Sequence, residues 1–169
     1  MNHYTSTLIL MAIVLEIAQA KLRAPLHSSS EKGNLDKMKV LLGQGSSLND
    51  LYNGIAPLHI AAARGDEDMV RWLIDKGADI ESRSSHGSTP FLSAVFKGHC
   101  NIVKLLKERG ADIKAQNVDG QNALHIAAVS GRKDLVELFL ALGFDPTKTA
   151  RDGETTKSFA SKNKYEDIV

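Results

Sequence analysis

The stretch GIAPLHIAAARG, Gly54–Gly65, recurs as GQNALHIAAVSG at Gly120–Gly131. A more altered copy, GSTPFLSAVFKG, stands between them at Gly87–Gly98. Gly54, Gly87, Gly120 and Gly153 are each 33 residues apart, as are Gly65, Gly98 and Gly131, and Gly77, Gly110 and Gly143. Three separate glycine positions sharing one period exclude chance. A period of this size means stacked supersecondary units, not one globular core.

Each unit can be read physically. After Gly87, Thr89 is suited to cap a helix and Pro90 to occupy its first position. A short helix over FLSAVFK ends at Gly98, the residue type favoured at a left-handed C-terminal position. The next segment, NIVKLLKER, places Ile102, Val103, Leu105 and Leu106 on one stripe of a second helix. In the preceding unit Asp66, Glu67 and Asp68 open the second helix and Lys76 lies at its far end, which suits the helix dipole. Helices this short are unstable alone, so stacking must hold them.

Composition agrees with that reading. Apolar residues make up 43% of the 169, but aromatics only 5%, so small and aliphatic side chains must pack helices closely. The net charge of +1 provides no global field toward nucleic acid or an anionic membrane. A single cysteine, Cys100, excludes an intramolecular disulfide framework and a multi-cysteine zinc site.

The segments GIAPLHIAAARGD…KGADI, GSTPFLSAVFKGH…RGADI and GQNALHIAAVSGR…LGFDP resemble the ankyrin repeat over about Ala24–Val169. The resemblance implies an all-α solenoid of about five stacked helix-turn-helix units with hairpin loops, three full and two degenerate end units. Their approximate bounds are 21–49, 50–82, 83–115, 116–148 and 149–169. Departures occur: Leu92 replaces the histidine of the third unit, Ala56 and Asn122 replace the capping threonine, and Ala123 replaces the proline. In the first unit Ser28, Ser29 and Ser30 stand where the family has buried alanine, as suits an end unit with one wetter face. The last unit keeps Gly153 and Ala160 and reads as a C-terminal cap or a clipped repeat.

The resemblance also assigns His59 and His125 to the scaffold, bonded near the start of the first helix and bridging to neighbours. Two stacked layers would separate them by roughly 20 Å, too far to share a metal ion. His99 and Cys100 look like a base and a nucleophile, but adjacent helical residues point about 100° apart. A thiol-dependent enzyme using Cys100 is therefore the rival reading from another class. No phosphate loop, paired-histidine zinc helix, hydrolase elbow or Asn-x-Ser/Thr sequon occurs. No cofactor or metal is implied.

What the resemblance implies is a monomeric, non-enzymatic module that binds a protein partner through its concave side, without nucleic acid or stable membrane insertion. By register the exposed positions there are Tyr52, Asn53, Ile55 and Arg64, then Ser85, His86, Ser88, Phe96 and Lys97. Val118, Asp119, Gln121, Val129 and Ser130 follow, and then Arg151, Asp152 and Glu154. Phe96 and Tyr52 are the expected anchors, since exposed aromatics in a polar rim usually dominate binding. The competing reading puts Phe96 in the core. Trp72 belongs to the apolar stripe of its helix, and Asp167-Ile168-Val169 is at most a weak match to a carboxylate-captured peptide.

The N-terminus stands apart. The apolar run Leu8–Leu15 is too short to span a bilayer, which takes about 20 residues. With Ala18-Gln19-Ala20 it matches a signal peptide over residues 1–20, cleaved before Lys21, although the n-region lacks Lys and Arg. The other reading is an apolar helix packed on the first unit. One period upstream of GQGSSLNDLYNG falls on MAIVLEIAQA, not on a polar hairpin, which favours the leader. A cleaved leader implies a secreted protein similar to ankyrin effectors or venom components. An uncleaved one implies a cytoplasmic adaptor, or an inhibitor similar to those of Rel-type transcription factors. A fragment of a membrane-active toxin is the remaining alternative.

Overall fold

The computed structural model describes residues 26–163. The expected leader over residues 1–20 and the terminal Asp167-Ile168-Val169 lie outside the described residues. Helices follow one another in pairs: α1 (26–31) and α2 (Leu35–Gly43), α3 (Pro57–Arg64) and α4 (Glu67–Asp75). Then come α5 (Pro90–Lys97) and α6 (Cys100–Glu108), α7 (Ala123–Val129) and α8 (Lys133–Ala141), and finally α9 (Thr156–Lys162). The first helices stack α3 on α5, α5 on α7 and α7 on α9, while α4 packs on α6. This is the expected all-α repeat solenoid, and among the described residues only isolated β-bridges accompany the helices.

Local chemistry sets the helix bounds. Thr89 Oγ1 accepts the Leu92 amide at 3.3 Å, and Pro90 starts α5. Gly98 ends it in the left-handed region, with φ 82°. Asp66 Oδ1 takes the Met69 amide at 3.0 Å, with Glu67 and Asp68 in the first turn of α4. Where threonine is replaced, Asn122 still caps, accepting from the His125 amide at 3.1 Å. Ala56 has no oxygen to offer, so α3 keeps only the reciprocal bond, from the Ala56 amide to His59 Nδ1 at 3.3 Å.

Packing explains the shortage of aromatics. Ala61, Ala62, Ala94, Ala127 and Ala128 are wholly buried where consecutive first helices touch. Larger residues fill the layer toward the second helices: Leu58, Met69, Leu73, Phe91, Leu106, Leu135 and Phe139 belong to one continuous core. Phe91 and Phe139 meet edge to face at 6.1 Å. Removing one such side chain would cost about 2–5 kcal/mol. Trp72 is half-buried at the edge of this core, so it belongs to the apolar stripe but not to the interior.

One expectation is corrected at the N-terminal end. Ser29 and Ser30 are 1% and 0% exposed, so the wetter face is not formed by them; Ser28 alone is half-buried. Ser30 Oγ donates to Pro57 O at 3.0 Å, which joins α1 to α3. A hydroxyl with a partner is tolerated in a slot made for a methyl group.

Hairpin tips are tied in series. The Ser85 amide donates to Gly54 O, Val118 to His86 O and Arg151 to Asp119 O, at 2.8, 3.1 and 2.9 Å. The first tip differs from the others. Tyr52 and Ile55 pair across Asn53 and Gly54, both with positive φ (52° and 74°), the pattern of a two-residue type I′ hairpin.

Candidate functional site

The two histidines of the opening stretch have both ring nitrogens occupied. His59 Nδ1 accepts the Ala56 amide, which places the proton on Nε2, and that N–H donates to Ser88 O at 2.8 Å. His125 repeats the arrangement, accepting from Asn122 N at 3.2 Å and donating to Lys148 O at 2.8 Å. His27 Nε2 makes the corresponding bond to Ile55 O at 2.7 Å. Burial holds His59 below the ordinary histidine pKa, against the raising influence of its backbone hydrogen bonds. No lone pair on His59 or His125 is left for a metal ion, and no cluster of three or more metal-binding side chains occurs among the described residues.

His99 and Cys100 diverge. The His99 ring lies across Gly65 and donates through Nε2 to Ala63 O at 3.0 Å, while Cys100 packs at the edge of the core with Sγ 3.8 Å from Gly98 O. The His99 slot recurs with a consistent task. In the next unit Arg132 lies across Gly98 and its Nε donates to Phe96 O at 3.4 Å. In the unit before, the slot holds Asp66, which has no proton to give as a carboxylate. There Arg64 supplies the bond instead, Nη1 donating to the equivalent carbonyl, Glu31 O. A carbonyl at the ends of α1, α3 and α5 is thus satisfied by whichever nearby side chain carries a donor.

Between the hairpin tips and the exposed faces of α3, α5 and α7 runs an open trough of about 960 Å³. Nine of the expected residues line it: Ile55, Arg64, His86, Ser88, Phe96, Lys97, Asp119, Gln121 and Val129. Phe96 is 52% exposed, so it is not a core residue, and Lys97 Nζ stands 5.4 Å from its ring centroid. Tyr52, Asn53, Ser85, Val118 and Arg151 are exposed but lie outside the lining. Tyr52 turns toward α1, its ring 5.4 Å from that of His27. Ser130 is half-buried at the end of α7, and Glu154 is paired with Lys162.

The register reading missed part of the wall. Ile60, Ser93 and Ile126 occupy one repeated position and line the trough, as does Ala63. The signal was present: each lies three residues before Ala63, Phe96 or Val129 on the same helical face. Ser84 and Asn117 also line it, but their side chains accept amides of their own hairpins, Ser88 at 3.1 Å and Gln121 at 2.9 Å.

Comparison with known proteins agrees with this geometry. A family model described as "Ankyrin repeats (3 copies)" matches residues 26–117, and one described as "Ankyrin repeats (many copies)" matches residues 102–140. None of the curated proteins compared with the chain matches it. The first match covers more than half of the chain, and the helix pairs, glycine-ended first helices and histidine–carbonyl bonds recur at its period: the chain belongs to the ankyrin-repeat family.

Proposed function

We propose that this chain is a monomeric, non-enzymatic module that binds a protein partner along its concave trough. Ankyrin repeats as a class are protein–protein interaction modules, and that coarse function is carried by the family itself. The finer reading rests chiefly on one observation. Phe96, a large aromatic, stands half-exposed in the lining of the trough. An exposed aromatic within a polar rim is what an interface anchor looks like before its partner arrives. An ordinary interface of about 800 Å² per partner fits a surface spread over three repeats.

Photo-crosslinking tests this directly. A benzoylphenylalanine placed at position 96 should capture a discrete protein from the native source, and one placed at Glu137, exposed on α8, should not. Equal capture at both positions would overturn the concave-face reading.

The leader reading supplies the compartment. Residues 1–20 carry the apolar run and the small-x-small cleavage site, which supports export of the mature chain beginning at Lys21 and a role as a secreted effector. Retention of Met1 in the cytosol would favour an adaptor or inhibitor instead.

A further inference from the structure

We propose that the occupant of the trough is an acidic segment of a protein, its carboxylates held by a ridge of cations and one apolar side chain seated on Phe96. The proposal rests on the concave-face reading above and names the partner's chemistry.

The ridge is built by the repeat. Lys32, Arg64 and Lys97 are all exposed and each immediately precedes a left-handed glycine, at Gly33, Gly65 and Gly98. Arg132, also exposed, lies across Gly98 from the next unit. Cations therefore mark the ends of α1, α3 and α5, layers roughly 10 Å apart as packed helices are, with two of the four, Lys97 and Arg132, together at the end of α5.

None of the four is paired with a carboxylate among the described residues. The ion pairs there are Lys39–Asp36, Arg71–Glu67, Arg109–Asp75 and Lys162–Glu154. Asp66, the acid nearest to Arg64 in sequence, directs Oδ1 to the Met69 amide. Arg64 and Arg132 each give one N–H to a backbone carbonyl, which holds the guanidinium in place, Arg64 over Gly33 with Asp66 Oδ2 on the same side, and Arg132 over Gly98. The helix dipole favours Arg64 and Lys97 where they stand, but it opposes Arg132 at the N-terminus of α8. Dipole stabilisation is therefore not what the ridge has in common; Arg64 and Lys97 line the trough, Lys32 follows the lining residue Glu31, and Arg132 bonds the carbonyl of the lining residue Phe96.

The trough lining also carries two acids, Glu31 on the ridge side and Asp119 on the hairpin wall opposite. An eight-residue helix separates the two walls by about 12 Å. A helix or an extended segment fits that width. Asp119 and Glu31 in the lining would repel a polyanion with a charge every few ångströms. Discrete carboxylates about 10 Å apart avoid both, so an acidic protein segment suits the surface better than nucleic acid or an anionic bilayer.

The test is selection of random 12-residue peptides displayed on phage against the full chain, followed by titration of synthetic winners. The enriched sequences should be rich in Asp and Glu with a large apolar residue. Their affinity should fall at least about tenfold in R64E/K97E, and several-fold between 50 and 500 mM salt, as screening predicts. If the double variant melts early, K97Q and the salt series carry the test. Neutral or basic winners, no winners, or tighter binding of single-stranded DNA or phosphatidylserine vesicles would overturn the proposal. Winners that lose affinity in Phe96→Ala but show no acidic preference leave the concave-face reading standing and remove only this one. Winners indifferent to Phe96→Ala remove both.

Discussion

His99 Nε2 lies 3.0 Å from Ala63 O, with its ring across Gly65, so the residue that opens α6 also closes α3. That single contact links two units through a side chain, a backbone carbonyl and a glycine. It explains why the glycine ruler is strict where rings and guanidinium groups cross it.

Gly65 and Gly110 should respond differently to alanine. Both have positive φ, 75° and 90°, which strains any side chain. A methyl group at Gly65 would also stand 2.6 Å from His99 Nδ1, whereas nothing lies within 4 Å at Gly110. Gly110→Ala should cost about 1–2 kcal/mol, the left-handed penalty alone. Gly65→Ala should cost clearly more, about 2–4 kcal/mol, because the ring must move and its hydrogen bond is lost. Urea unfolding followed by Trp72, the single tryptophan, distinguishes them. Equal losses would show that the His99 contact does not matter.

Arg132 performs in its unit what His99 performs in its own. His99→Arg should therefore stay within about 0.5 kcal/mol of the parent. His99→Ala should lose about 1 kcal/mol, the usual net value of one hydrogen bond. A larger loss for arginine than for alanine would contradict the equivalence.

Acid should weaken the fold through His59. Its pKa in the fold lies below the ordinary 6.5, chiefly because burial disfavours the charged ring. The unfolded chain then binds the proton more readily, so this contribution is complete above about pH 6.5 and declines as pH falls toward the folded value. Protonating Nδ1 would also set two donors, the ring and the Ala56 amide, against each other. The melting temperature should drop between pH 7.5 and 5.5, and His59→Leu should flatten part of that drop. Leucine is a reasonable replacement, since Leu92 already fills the equivalent slot. An unchanged slope in the variant would remove His59 from the effect.

These cases show what sequence conveys in a repeat protein. Thr89, Pro90 and the stripe of α6 were legible because capping, a first-turn proline and helical periodicity are dictated locally, and Gly98 because it also recurs in all three full units. The scaffold role of His59 and His125 came from the family resemblance, and their hydrogen bonds agree with it. The period did not reveal the buried serines, because Ser30 is satisfied by Pro57 O in the next unit, a partner 27 residues away. Nor did it reveal that Arg64 bonds Glu31 O, which depends on Asp66 lacking a proton to donate. Of the trough, the register placed Phe96, Lys97 and Arg64 correctly beside one another. Tyr52, the other expected anchor, is exposed outside that lining, its ring 5.4 Å from that of His27.

Export predicts a mature chain that begins at Lys21, with Glu16 removed and a net charge raised from +1 to +2. Intact mass of the protein from a secreting host checks it. A secreted product that retains residues 1–20, or a cytosolic one that begins at Met1, would contradict the leader.

The central claim is that Phe96 faces a partner and not the core. Phe96→Ala, titrated against the partner captured at position 96, should weaken binding by about 2 kcal/mol or more, roughly thirtyfold. Its melting temperature should stay within about 2 °C of the parent, since the ring is 52% exposed. Unchanged affinity with a sharply lowered melting temperature would contradict the account.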